Sequence, residues 1–250
     1  MICRFLEKKD SPLVEELWDK CFEKKEAAFF RYYFRGYCFL YNRVYGGFTE
    51  SGELVTMLHL NPYTVSVNGE KISVPYICGV ATAEKFRGRH YMGTVLNECC
   101  NILRKEGISF VFLVPVAEKI FLPYGFVGVD YHIQPSLTEI EKNFVLIPCK
   151  IDLNNFIDLY GEYIAEKNGV LRSSIDWHDF LIAIKAENSR AYFLKRTNAI
   201  CGYIIVSHQN EVIEVISPEP LPQGNKPFVM AKGLQGQDCR NFLGNSFYFW

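Results

Sequence analysis

The residues best placed to do chemistry lie between Tyr76 and Gly93, in YICGVATAEKFRGRHYMG. An apolar run ends at Val80-Ala81-Thr82, a charged turn follows, and Arg87-Gly88-Arg89-His90 opens a segment with apolar residues at helical spacing. The first N–H groups of a helix lack internal partners and stand at the positive end of its dipole, so such a terminus attracts anions. Two arginines there oppose the dipole. An anionic ligand accounts for them, and so does an exposed basic turn facing solvent or Glu84. The turn is no Walker A loop, because no Gly-Lys-Ser/Thr follows, and no dinucleotide fingerprint, because the GxGxxG glycines are missing.

Other reactive side chains form no recognisable constellation. His59, His90, His132, His178 and His208 are scattered without HExxH or HxH spacing, so no metal site is expected. No GxSxG elbow occurs, and nine cysteines without a CxxC pair predict neither a disulfide framework nor zinc. Cys99 and Cys100 read as small apolar packing residues. Lys and Arg number 27 against 28 Asp and Glu in 250 residues, a net charge of −1 that excludes a polybasic nucleic-acid binder. The charged amino-terminal segment MICRFLEKKD lacks a signal peptide's apolar stretch, and no apolar run approaches the roughly 18 residues of a membrane span. With the cysteine usage, this predicts a reducing, cytoplasmic location and no membrane partner.

The elements that must hold this turn follow from periodicity. Ser11-Pro12 followed by Leu13, Val14, Leu17, Trp18, Cys21 and Phe22 predicts a helix, and residues 26–41 predict a second one ending near Gly36. From Arg43 the pattern becomes an antiparallel meander, with Asn68-Gly69 as a hairpin turn, leading into a strand around Tyr76 to Ala81. Met92, Val95, Leu96, Cys99, Ile102 and Leu103 predict a helix closed by Gly107, and residues 108–116 predict a strand in the middle of a sheet. HIQPSLTEIEKN, residues 132–143, is polar with a proline and reads as a linker. Helical patterns at 153–167 and 176–187 then precede the strand-like AYFLKRT, AICGYIIVSHQ and EVIEVIS and a proline-rich loop, SPEPLPQGNKP. The order helix, helix, meander repeats that of residues 12–82.

GVATAEKFRGRHYMGTVL resembles the acyl-coenzyme A (acyl-CoA) binding motif of the GCN5-related N-acetyltransferase (GNAT) superfamily, whose RxxGxG/A turn cradles a pyrophosphate. The stretch from MLHLNPYTVSVNGEKISVPYICGVAT to FLPYGF is similar to the tandem-domain branch that includes the enhanced intracellular survival protein, and the motifs cover residues 54–126. IDLNNFIDLYGEYIAEKNGVLRSSIDWHDFL looks like the helical opening of that branch's second domain. The resemblance implies an α/β fold of tandem acyl-CoA N-acyltransferase (GNAT-like) domains, each a mixed, mostly antiparallel sheet with flanking helices. Residues 1–138 would form the acetyl-CoA binding domain. Residues 139–250, which lack an RxxGxG-like turn, would form a degenerate copy that buttresses the first and shapes the acceptor pocket. Acetyl-CoA is the implied co-substrate. The backbone of Val80, Ala81 and Thr82 would pair with its pantetheine arm, and Arg87, Gly88, Arg89, His90, Tyr91, Met92 and Gly93 would hold its pyrophosphate. His90 and Met92 occupy the motif's small-residue positions. A helix terminus is right-handed and open to any residue, so the N–H groups are expected to stay available, with the His90 imidazole clashing with the pyrophosphate, pairing with it or swung into solvent.

The chemistry so implied is direct attack of an amine on the thioester, with a base to take the amine proton and an acid for the departing thiolate. The family's acid is a Tyr four residues before the Gly of a YxxxGF-like segment, a position held here by Phe121, which has no proton to give. Tyr124 and the terminal carboxylate at Trp250 are the remaining candidates for a catalytic role, and Glu84, His59, Asp130 and His132 are chemically able bases. The expected function is acetyl transfer from acetyl-CoA to a small-molecule or peptide amine, with homo-oligomerisation left open. The competing expectation is a protein that binds CoA or acyl-CoA without efficient transfer, the reading that Phe121, His90 and Met92 favour.

Overall fold

The computed structural model of the chain describes residues 1–22, 38–165 and 167–241. The helix expected at 26–41 falls largely on residues 23–37, outside the described residues, as does Trp250. Helix α1, Ser11–Cys21, starts where foreseen, with Pro12 in the first turn, where a missing N–H leaves no bond unmade, and Val14 and Leu17 buried. Ahead of it, β1 (Ile2–Phe5) is tied to the helix entry by a bidentate pair, Arg4 donating to both Asp10 carboxylate oxygens at 2.6 and 2.8 Å. The Arg4 guanidinium is the main cause that lowers the Asp10 pKa to about 2. A folded-state pKa below the unfolded value of about 4 means that the unfolded chain binds the extra proton. The contribution of Asp10 is therefore complete above pH 4 and lost as the pH falls towards 2. Acid denaturation of Asp10→Asn, followed by circular dichroism, should show a shallower stability slope in that window than the parent.

Strands β2 (Arg43–Phe48), β3 (Leu54–Val67) and β4 (Glu70–Thr82) form the meander, and Asn68 and Gly69 close its hairpin with φ of 52° and 83°, a turn that needs positive φ twice. Helix α2, Tyr91–Lys105, follows and is closed by Gly107 at φ 84°. Next come β5 (Phe110–Leu113), a short helix α3 (Glu118–Phe121) and β6 (Val127–Asp130). The nine-residue apolar run expected as one strand thus yields only four strand residues.

The contacts of the chain fall into two compact units. Among the described residues, the first comprises 1–22, 38–63, 73–128 and 229–240, and the second 64–72, 129–165, 167–228 and 241. The first unit includes β12, Val229–Gly233, a strand the sequence reading did not foresee. It runs antiparallel to β5, Met230 opposite Leu113 and Gly233 opposite Phe110, and completes the order β1-β2-β3-β4-β5-β12-β6. β5 therefore sits inside the sheet, fully buried, as a continuous apolar strand should.

The second unit holds helix α4 (Leu137–Asn143), β7 (Val145–Cys149), helix α5 (Ile157–Ile164), β8 (Gly169–Leu171), helix α6 (Ser174–Ala186), β9 (Arg190–Arg196), β10 (Ala199–Val206) and β11 (Val212–Ile216). Its antiparallel sheet has the order β11-β10-β9-β7. The expected linker at 132–143 is mostly α4. Ser136 and Glu139 form a reciprocal capping box, Ser136 N–H donating to the Glu139 carboxylate at 2.8 Å and Glu139 N–H to Ser136 Oγ at 3.3 Å. Inside the unit, the Arg172 guanidinium pairs with the fully buried Glu214 carboxylate, which also accepts from Tyr203 Oη at 2.6 Å. The guanidinium carbon lies over the rings of Tyr160, Trp177 and Phe180 at 4.6, 4.7 and 4.3 Å. Among the described residues, no helix is long and apolar enough to cross a membrane.

Candidate functional site

The two faces of the first unit's sheet are told apart by what packs on them. On one, α2 buries Val95, Leu96, Cys99, Cys100 and Leu103 against Leu58, Leu60, Ile77, Val111 and Leu113. On the other, α1 sets Val14, Leu17 and Trp18 against Val44, Phe48, Met57 and Ala81. Cys99 and Cys100 are apolar packing residues as expected, and burial pushes both thiols above their usual range.

β4 and β5 are parallel and in register at Tyr76 opposite Phe112. Beyond that pair β5 ends at Leu113, while β4 runs on to Thr82. Gly79, inside β4, has φ 56°, a left-handed residue that interrupts the pleat. Side chains change sides across it: Ile77 and Val80 pack in the α2 cluster, and Ala81 in the α1 cluster. A Cβ at Gly79 would stand 2.5 Å from Trp18 Cζ3 and 2.9 Å from His59 Cδ2, so only glycine fits. The carboxyl ends of two parallel strands, one of them kinked, are where an open α/β sheet offers room to a ligand.

The basic turn follows directly. Glu84–Phe86 makes a 3₁₀ turn, Gly88 takes φ 73°, and His90 is the N-cap of α2 at φ 62°, ψ 10°. This corrects the expectation of right-handed geometry at the motif's small-residue position: the backbone there is left-handed, the region glycine favours, and a histidine has been placed in it. The His90 side chain does not cap α2, and no carboxylate lies in its first turn. The Tyr91, Met92 and Gly93 N–H groups precede the helical bonding ladder. Arg87 bends back so that Nε donates to Thr82 O at 3.1 Å, tying the turn to the end of β4. Thr82 O also accepts from Cys21 Sγ at 3.5 Å, and Ala81 O from Thr56 Oγ1 at 2.9 Å. Arg89 Cζ lies 5.9 Å over the Phe86 ring, and Arg87, Arg89 and His90 are all exposed.

The candidate acids and bases separate. Phe121 is buried, edge-on to Phe126 with centroids 5.9 Å apart. Tyr124 instead reaches the first turn of α2, where a Cβ at Gly93 would collide with its Oη. His59 is fully buried beside Gly79, its Nδ1 3.7 Å from Cys38 Sγ and its ring 5.3 Å from that of Trp18. Burial lowers its pKa to about 3, so the imidazole is neutral. Glu84 is exposed on the 3₁₀ turn. Asp130 and His132 belong to the second unit, paired with each other at 2.9 Å with both side chains fully buried, and the His132 ring lies 4.0 Å from that of Phe228. A cleft beside α1 is lined by Glu16, Lys20, Glu53 and Lys85, which pair among themselves, Lys20 with Glu16 and Lys85 with Glu53, both at 2.6 Å. Among the described residues, no cluster of three or more His, Cys, Asp or Glu could hold a metal ion.

The sequence reading did not single out Gly79, nor the half-buried Tyr63 and Tyr76, which meet the fully buried Phe112 at the root of the strand separation with centroid distances of 5.3–6.3 Å. The glycine inside a strand pattern was the available signal for the kink.

Residues 3–128 match the family model described as an acetyltransferase (GNAT) domain. Among solved structures, the fold is similar to that of a "probable N-acyltransferase" from Enterococcus faecalis, at 15% identity and TM-score 0.70 over 94% of this chain and 73% of that one. It is also similar to a GCN5-related N-acetyltransferase from Anabaena variabilis, at 13% identity and TM-score 0.66 over the same shares. Eis1 from Mycobacterium abscessus matches at 11% identity and TM-score 0.58, over 87% of this chain and 60% of that one. No curated protein sequence matches.

Proposed function

The chain belongs to the GNAT acetyltransferase family, and from that premise we propose that it transfers an acetyl group from acetyl-CoA to the amine of a small molecule or peptide. The observation that carries this reading is the conjunction of a helix terminus that the His90 side chain leaves uncapped, with no carboxylate in its first turn and with Arg87 and Arg89 beside it, and the carboxyl end of β4, which runs on to Thr82 after β5 has ended at Leu113. In this proposal the N–H groups of Tyr91, Met92 and Gly93, with Arg87, Gly88, Arg89 and His90, receive the pyrophosphate. The pantetheine arm lies along Val80, Ala81 and Thr82. In the same proposal residues 1–138 carry the acyl-CoA site, and residues 139–250 are a degenerate copy apart from β12, which belongs to the first unit.

The amine nitrogen attacks the thioester carbonyl carbon, a C–N bond forms, the C–S bond breaks, and the electron pair leaves on sulfur. The amine proton passes to a base, and the thiolate takes a proton from Tyr124 or from solvent. A free thiol has a pKa of about 8.5, so a thiolate leaves without an obligatory acid. Thiol release from acetyl-CoA, read with a thiol-reactive dye across a panel of primary amines, tests the proposal. Amine-dependent release above the hydrolytic background is expected. Tight acetyl-CoA binding with no release for any amine would overturn transfer and favour the second reading, a binder without efficient transfer. That reading draws on the buried Phe121 and the left-handed His90.

A further inference from the structure

Two threonine hydroxyls meet at the carboxyl end of β4. Thr56, on β3, is fully buried, and its Oγ1 donates to Ala81 O at 2.9 Å. The same oxygen lies 2.9 Å from Thr82 Oγ1. A hydroxyl has a single proton, and a carbonyl can only accept. The Thr56 proton is therefore committed to Ala81 O, so in the contact between the two hydroxyls Thr82 is the donor. Thr82 Oγ1 thereby keeps its lone pairs and has no proton left for a ligand. Its main-chain carbonyl is already taken, by Arg87 Nε at 3.1 Å and Cys21 Sγ at 3.5 Å, a donor for each lone pair. Both hydroxyls stand on the α2 side of the sheet. Gly47 lies opposite Thr56 in register, and a Cβ there would touch Thr56 Cγ2 at 3.2 Å and Val95 Cγ2, on α2, at 2.9 Å. Along β4, Val80 packs in the α2 cluster and Ala81 in the α1 cluster, so Thr82 returns to the α2 side, where it is half-buried.

We propose that the Thr82 hydroxyl binds the acyl donor by accepting an amide N–H of its pantetheine arm, and that Thr56 is a positioning residue that fixes the direction of the Thr82 proton. This rests on the acyl-CoA reading above. An oxygen that can only accept favours a ligand N–H and disfavours a ligand oxygen, which would face it lone pair to lone pair. The pantetheine arm carries amide N–H groups on an extended chain, whereas the nucleotide half of coenzyme A offers phosphates, which are acceptors themselves. Recognition is thus divided. The phosphates go to the N–H groups of Tyr91, Met92 and Gly93 and to the two arginines, and the amide goes to Thr82. The two halves are tied together, since the Thr82 carbonyl holds Arg87 while Thr56 holds the Thr82 hydroxyl. Without the Thr56 oxygen the Thr82 proton is free to turn towards the ligand, where it competes with the incoming N–H.

The test is isothermal titration with acetyl-CoA and, separately, with the nucleotide half alone, adenosine 3′-phosphate 5′-diphosphate, which has no amide. Thr82→Val removes the acceptor at nearly constant volume and should weaken acetyl-CoA about tenfold, while Thr82→Ser should stay within about twofold of the parent. Thr56→Val should weaken it about fivefold, and Thr56→Ser should recover the loss. Because Thr56 acts through the Thr82 hydroxyl, adding Thr56→Val to Thr82→Val should cost nothing more, where two independent structural defects would add. The nucleotide half should bind Thr82→Val as it binds the parent. If Thr56→Val does not fold, the comparison of Val with Ser at the half-buried position 82 carries the test. Acetyl-CoA binding Thr82→Val as tightly as the parent, equal weakening of the nucleotide half, or additive losses in the double variant would overturn this inference alone. Failure of acetyl-CoA to bind the parent would overturn the acyl-CoA reading on which it rests.

Discussion

Glu214→Ala should destabilise the protein by about 3–5 kcal/mol, because it strands the Arg172 guanidinium without its counter-charge inside the second unit. The Arg172 side chain is 4% exposed and that of Glu214 0%. Burial is the largest single influence and works against the arginine's charge, and Glu214 together with Tyr160 and Tyr203 outweighs it, raising the Arg172 pKa above its usual value. The three surrounding rings offer the cation some favourable contact, but they do not replace a bidentate carboxylate. Tyr203 would lose its acceptor as well. Replacing both ions with apolar residues, Arg172→Met with Glu214→Leu, should cost much less, because desolvation of two charges is avoided. Urea unfolding decides the matter: the single variant should lower the midpoint with the slope unchanged, and the double variant should recover most of it. A loss below about 1 kcal/mol in Glu214→Ala would mean that water reaches the guanidinium.

Gly79→Ala comes next in expected size, at about 2–5 kcal/mol. A left-handed backbone costs an L-residue about 1–2 kcal/mol. Forcing a methyl group into a packed site adds about 1–3 kcal/mol. Both apply here, since the new Cβ would stand 2.5 Å from Trp18 Cζ3 and 2.9 Å from His59 Cδ2. The effect reaches function because the kink sets the course of β4 from Val80 to Thr82, the stretch proposed to meet the pantetheine arm. Gly79→Ala should therefore lower the melting temperature and also shrink the further rise that acetyl-CoA produces. Normal stability with an undiminished acetyl-CoA response would show that the kink positions nothing.

Much of the first unit was legible because its signals are local. Met92, Val95, Leu96, Cys99 and Leu103 repeat with helical period and end at Gly107, and Asn68-Gly69 is a turn whose chemistry allows little else. The turn from Arg87 to His90 was readable as a basic turn opening a helix for the same reason. Its backbone was not, because a histidine at φ 62° is imposed by the turn around it and not by its own preference. β12 escaped notice because five residues after a proline-rich loop carry no periodicity of their own, and the pairing of Met230 with Leu113 joins positions far apart in the chain. The packing of Tyr63, Tyr76 and Phe112 is hidden for that reason too. Ser136 and Glu139 differ: the capping-box spacing stood in the sequence, and its polar setting disguised a helix as a linker.

The most direct test of the central claim, that this chain holds acyl-CoA at the Arg87–Gly93 turn, is its melting temperature with and without acetyl-CoA. At about 100 times its dissociation constant the ligand should add about 2.7 kcal/mol of stability, a rise of roughly 5–10 °C for a chain of this size. The rise should disappear in Arg87→Ala. An unchanged melting temperature at millimolar acetyl-CoA, or a rise that survives Arg87→Ala, would contradict the claim.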